Sequence, residues 1–233
     1  MLLKQWERRV ALAAEDRAAV LDLPVIRRTY SRDSYLIREG DRATTCNLLL
    51  SGFAYRQKLV ASGARQIISV HVTGEFVDLQ NAMLDLADHN VQSLGRSDVA
   101  QIPKAALLQL MTDRPLIARA VWLDTLIDAS IFREWVVNVG RRDATTRIAH
   151  LLCELTLRLR SAGLNRGETY DFPFTQEQIA DATGLTAVHT NRTLQNLRRQ
   201  GLIRLATGSL TVLDWNRLAE IGDFSERYLH HGA

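Results

Sequence analysis

Between Thr186 and Arg204 the chain carries four arginines and no carboxylate, and the polar residues among them fall at helical spacing. His189, Arg192, Asn196 and Arg199 recur three and four apart, so on a helix they share one face, with Val188 and Gln195 beside them. Such a face offers cationic forks and side-chain amides, with no acid to oppose a polyanion. Arginine can pair with guanine O6 and N7 through two parallel bonds, and asparagine or glutamine can do the same for adenine. The chemistry on offer is recognition of a DNA groove. The opposite face, Ala187, Thr190, Leu194 and Leu197, is small or apolar and predicts the side that packs inward.

The preceding residues supply what would position that face. Thr175 with Gln178 three residues on is a capping-box signature, and a helix starting there carries Ile179 and Ala180 inward. Gly184 permits a tight turn, Leu185 can plug the angle, and the second helix starts at Thr186. The spacing predicts a helix-turn-helix that docks its second helix in the major groove. Its candidate DNA contacts are Thr175 and Gln176 on the first helix and Thr186, Ala187, Val188, His189, Arg192, Asn196 and Arg199 on the second. After Gly201 the runs LIRL and LTVL flank Ala206 to Ser209, which predicts a hairpin wing. A charge run alone would more often be a solvated helix face; the helix, glycine and helix spacing is what argues against that.

At these residues, TQEQIADATGLT, the Asn191-Arg192 pair and the closing LRRQGLI, the chain resembles the Crp/Fnr superfamily of bacterial transcription regulators. The resemblance extends over nearly the whole chain. It implies an α+β protein: an N-terminal antiparallel β-roll of the cyclic nucleotide-binding type over 1–114, a dimerisation helix over 115–140, a winged helix-turn-helix over 141–213 and a tail over 214–233. It also implies double-stranded DNA, a second copy of the chain and, for an activator, RNA polymerase as partners. In that family the arginine matching Arg192 contacts base edges, and the better-known members carry a glutamate where this chain has Val188.

Composition agrees with two modest domains. The chain has 233 residues and a formal charge of +3, and ten arginines face six acids between Arg141 and Arg204. Lys4, Glu7, Arg8 and Arg9 interrupt every early apolar run, which predicts a cytoplasmic protein with no membrane span. Cys46 and Cys153 lack any metal-ligand spacing and read as small buried hydrophobes.

Residues 2–21 alternate apolar and charged positions at helical spacing, predicting one leading helix. From Val25 to Pro103 come seven short β-rich runs, punctuated by Gly40, Gly52, Gly63 and Gly74 every eleven or twelve residues. That rhythm predicts an antiparallel barrel or roll. In the family this is the effector domain, and EGD at Glu39 to Asp41, SGFAYRQKL and HVTGEF match its order. Members that bind cyclic AMP place an arginine and a small hydroxyl residue where this chain has Asp88, His89 and Asn90. A cyclic phosphate needs a cation to offset its desolvation, and Asp88 would oppose it unless Arg56 or Arg65 served instead. No cysteine precedes Cys46, so the thiolate cluster of the oxygen-sensing branch is missing. His71 and His89 read as hydrogen-bonded or surface residues. The expectation is no cofactor, no metal and an unidentified effector.

A short helix at Lys104 to Met111 is followed by Asp113-Arg114-Pro115, a helix-start signal, and by a long helix ending near Gly140. Leu116, Ala120, Leu123 and Ile127 repeat at four, three and four, a seam suited to pairing with a second copy; the same stripe would also serve packing on the β domain. Asp143 caps the next helix, Ala144 to Arg160. A polar loop, Ser161 to Glu168, leads to a strand at Tyr170 to Phe172, and the tail from Asp214 reads as a surface helix. No nucleophile elbow, zinc-protease helix, P-loop or dinucleotide fingerprint occurs, so no catalytic residue is expected. The alternatives are a winged-helix interaction scaffold, or an effector-binding protein with no specific DNA target.

Overall fold

The structure, a computed structural model, describes residues 2–230; the last three positions of the expected tail lie outside the described residues. The chain forms two compact units, one from residues up to Gln57 with Val70–Ser130, the other from Lys58–Ser69 with Ile131–Leu229.

In the first unit the expected leading helix is two helices, α1 (Leu2–Glu7) and α2 (Ala14–Leu21). The amides of Arg9 and Val10 both donate to the Trp6 carbonyl. Ala13 is extended, and its amide donates to the Asp16 carboxylate at 3.0 Å. Asp16 thus starts a new helix where no proline or glycine announced a break. Seven strands follow, one for each β-rich run: β1 (Ile26–Tyr30), β2 (Tyr35–Ile37), β3 (Thr45–Ser51), β4 (Phe53–Leu59), β5 (Arg65–Val72), β6 (Asn90–Ser93) and β7 (Ser97–Pro103). They form two sheets, of order β1-β7-β3 and β2-β6-β4-β5. Gly52 makes the reversal between β3 and β4 possible. Its φ is +85°, and a Cβ there would sit 2.5 Å from the Arg96 carbonyl oxygen, so no other residue fits.

Two helices close this part of the chain, α3 (Lys104–Asp113) and α4 (Pro115–Arg141). Trp6, Leu107, Ile117 and Ala120 share one core with Phe76 and Cys46, while Leu49, Val77, Val91 and Val99 fill the inside of the roll.

The second unit takes the end of α4 and then α5 (Ala144–Ser161), β8 (Asn165–Arg166), β9 (Thr169–Asp171), α6 (Gln176–Thr183), α7 (Ala187–Arg199), β10 (Ile203–Ala206), β11 (Ser209–Val212) and α8 (Trp215–Ile221). Its sheet order is β10-β11-β9-β8. The hairpin of β10 and β11 is the expected wing; β8, inside the segment read as a polar loop, is an added strand. Ile148, Leu152 and Leu155 of α5 are fully buried. Among the described residues no helix is long and apolar enough to cross a membrane.

Candidate nucleic-acid interface

The local chemistry of α6 and α7 is as the residue types dictate. Thr175 Oγ1 accepts from the Gln178 amide at 3.1 Å, and the Thr175 amide donates to Gln178 Oε1 at 2.9 Å, closing the capping box. Gly184 ends α6 with φ +64°, in the left-handed region. Thr186 Oγ1 then accepts from the His189 amide at 3.2 Å and caps α7.

Thr190, Thr193, Leu194 and Leu197 are the buried side of α7. Ala187, expected to face inward as well, is exposed at the first turn of α7; Thr193 takes an inward place instead. His189, Arg192 and Arg199 are exposed, Asn196 is half-buried, and Val188 is 73% exposed. His189, Arg192, Gln195, Asn196 and Arg199 line a polar depression of about 350 Å³, which Thr145 of α5 borders. Arg192, Arg198, Arg199 and Arg204 make no ion pair among the described residues, so their charge is turned outward uncompensated.

Two features of this surface carried no sequence signal. Asn191 Nδ2 donates to Gln176 Oε1 at 2.7 Å and Gln195 Nε2 donates to Asn191 Oδ1 at 2.8 Å, so an amide chain ties the start of α6 to the middle of α7. Arg147 of α5 donates to the Arg142 carbonyl at 2.8 Å and to the Thr183 carbonyl at 3.1 Å, which pins the end of α6. Asp143 caps α5 as expected, accepting from the Thr145 and Thr146 amides; those bonds hold its carboxyl below the usual carboxylate range.

The tail is not merely a surface helix. Leu218 of α8 and Leu229 are buried, and the Gly222 backbone lies so close to α5 that a Cβ there would meet the His150 amide at 2.9 Å. His150 Nδ1 lies 3.0 Å from the Gly222 carbonyl, and its Nε2 lies 3.0 Å from the Tyr228 hydroxyl. Tyr228 donates to Glu154 at 2.9 Å, and Glu154 also collects Trp135 and Arg158.

In the β-roll, Asp88 pairs with its neighbour His89 at 2.6 Å. Burial pushes the His89 imidazole below its ordinary pKa, with the Arg56 charge adding to the effect, and the same two causes act on His71. Arg56 is fully engaged: Nε donates to the Val77 carbonyl at 2.8 Å, and its other nitrogens reach Asp128 and Gln80. Arg65, in the second unit, is paired with Asp181 at 2.6 Å. Burial pushes the Cys46 and Cys153 thiols up to about 12, as expected of inert core residues. No group of three or more metal-ligating side chains occurs among the described residues.

The seam expected on α4 is divided. Ala120 is 1% exposed and Leu123 packs on the first unit's core, so these two face their own protomer rather than a second copy; Ile127 is half-buried. The exposed apolar positions are Leu116, Trp122, Leu126, Phe132, Val136 and Val137. A long helix on a β domain must spend one stripe on that domain, and spacing alone does not say which.

Comparison with known proteins agrees with this architecture. Residues 146–221 match the Crp-like helix-turn-helix domain and residues 27–114 the cyclic nucleotide-binding domain. The nitrogen fixation regulation protein FixK of Bradyrhizobium diazoefficiens is 28% identical over 188 residues, 79% of this chain and 77% of that protein. The transcriptional activator protein FnrL of Cereibacter sphaeroides is 27% identical, covering 85% of this chain and 82% of its own. The solved structure of FixK2 from Bradyrhizobium japonicum superposes with a TM-score of 0.80 at 21% identity, over 87% of this chain and all of that one. With its β-roll, its α6–α7 helix-turn-helix and its wing, the chain belongs to the Crp/Fnr superfamily and is a DNA-binding transcription regulator.

Proposed function

We propose that this regulator binds a two-fold symmetric operator as a homodimer, reads it through Val188, His189, Arg192, Asn196 and Arg199, and does so without cyclic AMP. It works in the cytoplasm and performs no catalysis. The observation that carries the reading is the outward face of α7, where unpaired arginines and side-chain amides share one polar depression. At the helix starts, the Gln176 and Thr186 backbone amides and the Thr175 hydroxyl would donate to phosphates. Trp122, Leu126 and Val136 lie at spacings of four and ten on α4, and their exposure supports pairing of two copies along this stripe. That FnrL is named a transcriptional activator supports RNA polymerase as a further partner.

Selection of bound duplexes from a random pool by the purified chain is the direct test. The expected product is a pair of inverted half-sites about one helical turn, roughly 34 Å, apart, bound by a dimer in sedimentation. Single half-sites bound as tightly as paired ones by a monomer would overturn the dimer. The engagement of Arg56 and Arg65 with carboxylates supports independence from cyclic AMP, and a micromolar cyclic-nucleotide site in calorimetry would contradict it.

A further inference from the structure

One face of the β1-β7-β3 sheet carries a cavity that the DNA-binding reading does not use. Arg27, Ala100 and Leu48 are register partners across the three strands, so their side chains stand in a row on one face. With α1, α2 and the segment after it, this face lines a half-open pocket of about 320 Å³, within the size range of small-ligand pockets.

The lining decides the ligand's chemistry. Among the described residues it is mainly leucine, valine, isoleucine and alanine, with no aromatic ring and no carboxylate. Its one hydroxyl, Thr73, donates to the Gly52 carbonyl at 3.2 Å, and the Gly74 amide donates to the Leu49 carbonyl at 2.8 Å. A polar group buried here would find no partner, so the buried part of a ligand must be hydrocarbon. Without aromatic faces to stack on, a flexible chain suits the space better than a planar ring.

The rim adds a charge. Among the described residues Arg27 is the single charged residue of the lining, is exposed, and makes no ion pair. Its neighbour Arg28 points to the other face and donates to Gln101 at 2.7 Å. Beside Arg27 the apolar rim is uncovered, with Leu21 75% and Val25 47% exposed. An apolar hole with one unpaired cation at its edge complements a molecule with a hydrocarbon chain and one anionic end. We propose that this cavity binds a free medium-chain fatty carboxylate, its chain between the sheet and α2 and its carboxylate on the Arg27 guanidinium.

The test uses the full chain and three probes below their micellar concentrations: decanoate, decanol and decylamine. Calorimetry should show decanoate binding about tenfold more tightly than decanol, the size of one charge-assisted contact, with decylamine weakest. Arg27→Gln should remove the preference for decanoate over decanol. Val25→Asp, which sets a charge at the mouth, should weaken decanoate and decanol together. Both residues are exposed, so unchanged thermal unfolding of the two variants without ligand is expected. Absence of decanoate binding, equal binding of decanoate and decylamine, or decanoate affinity unmoved by both substitutions would overturn the proposal. Self-association of the chain that Val25→Asp disrupts, with no decanoate bound, would assign the rim to a second copy and overturn it as well.

Discussion

Arg192 and Arg199 on α7 and Arg56 in the β-roll carry the same guanidinium and put it to opposite uses. The first two stand on an exposed face with no carboxylate partner among the described residues, bordered by the amides of Gln195 and Asn196. Arg56 is buried and spends its donors on Val77, Asp128 and Gln80. The outward arginines gain most from an external polyanion, because meeting phosphate or guanine adds bonds they otherwise make only to water. Arg56 would have to break internal bonds to serve a ligand. A polar side chain in a site is therefore evidence of binding only once its existing partners are counted. By that count the outward face of α7 is open to a polyanion, whereas Arg56 is already committed inside the β-roll.

The Arg158–Glu154 pair is the extreme of the internal class, with side chains 5% and 0% exposed. Glu154→Ala should cost about 3–5 kcal/mol of stability, since it removes the buried carboxylate that Arg158, Trp135 and Tyr228 all contact. Arg199→Ala should stay within about 0.5 kcal/mol, as expected at an exposed site. Urea unfolding of the two variants makes the comparison directly. Similar losses from both would erase the distinction between committed and available arginines.

Asp78 shows what happens in the β-roll when a buried charge has neutral partners only in direct contact. It accepts from the Asn47 amide and from Asn47 Nδ2, both at 2.6 Å, yet burial raises its pKa to about 6. Between about pH 4 and pH 6 the folded chain therefore holds a proton that the unfolded chain has released. The contribution of Asp78 to stability is fully present below its unfolded pKa of 3.8, falls as pH rises towards 6, and is flat above that. Asp78→Asn lacks this slope. The stability of Asp78→Asn relative to the parent should rise by roughly 2 kcal/mol from pH 4 to pH 7, which urea midpoints at the two pH values would measure. A pH-independent difference would mean that Asn47 suffices to keep Asp78 charged.

On the reading head, Arg192→Ala should cost about 1–3 kcal/mol of discrimination at one base per half-site and little stability. Competition between guanine and substituted half-sites gives the number. An equal loss on every sequence would make Arg192 a phosphate contact and move it out of the reading set, though not out of the available class.

How far these regions were legible in the sequence follows from the range of the forces that build them. Thr175, Gly184 and Thr186 act on residues within four of themselves, so α6, its turn and α7 could be placed from spacing. So could the seven strands, whose turns are local. The packing of the tail could not, because His150 meets Gly222 and Tyr228 across 72 and 78 residues, and nothing near Asp214 marks Leu218 as buried. The break between α1 and α2 rests on one carboxylate cap in a run that lacks helix breakers. On α4 the periodicity was visible but its partner was not, so Ala120 and Leu123 were assigned to a second copy when they serve their own core. Thr193 was missed because a threonine gives no hydrophobic signal of burial.

Val188 offers the finest test, since it changes what the open face offers without touching a partner. At 73% exposure it stands clear of the wing and beside Arg192 on the outward side of α7. Better-known members of the family carry glutamate at this position, which can accept from cytosine N4; valine can only meet a thymine methyl or leave the base unread. Selected half-sites should therefore lack a strict C·G pair at that base and tolerate T·A. Val188→Glu should raise the preference for C·G there by about 1 kcal/mol, the low end for such contacts, because a carboxylate so exposed remains largely solvated until it docks. The guanine read by Arg192 should be unchanged, and so should folding, since the side chain touches no core. An invariant C·G pair selected by the parent chain would show that another residue reads this base. Loss of all DNA binding by the folded variant would show that Val188 lies against phosphates, and α7 would then have to be turned in the groove.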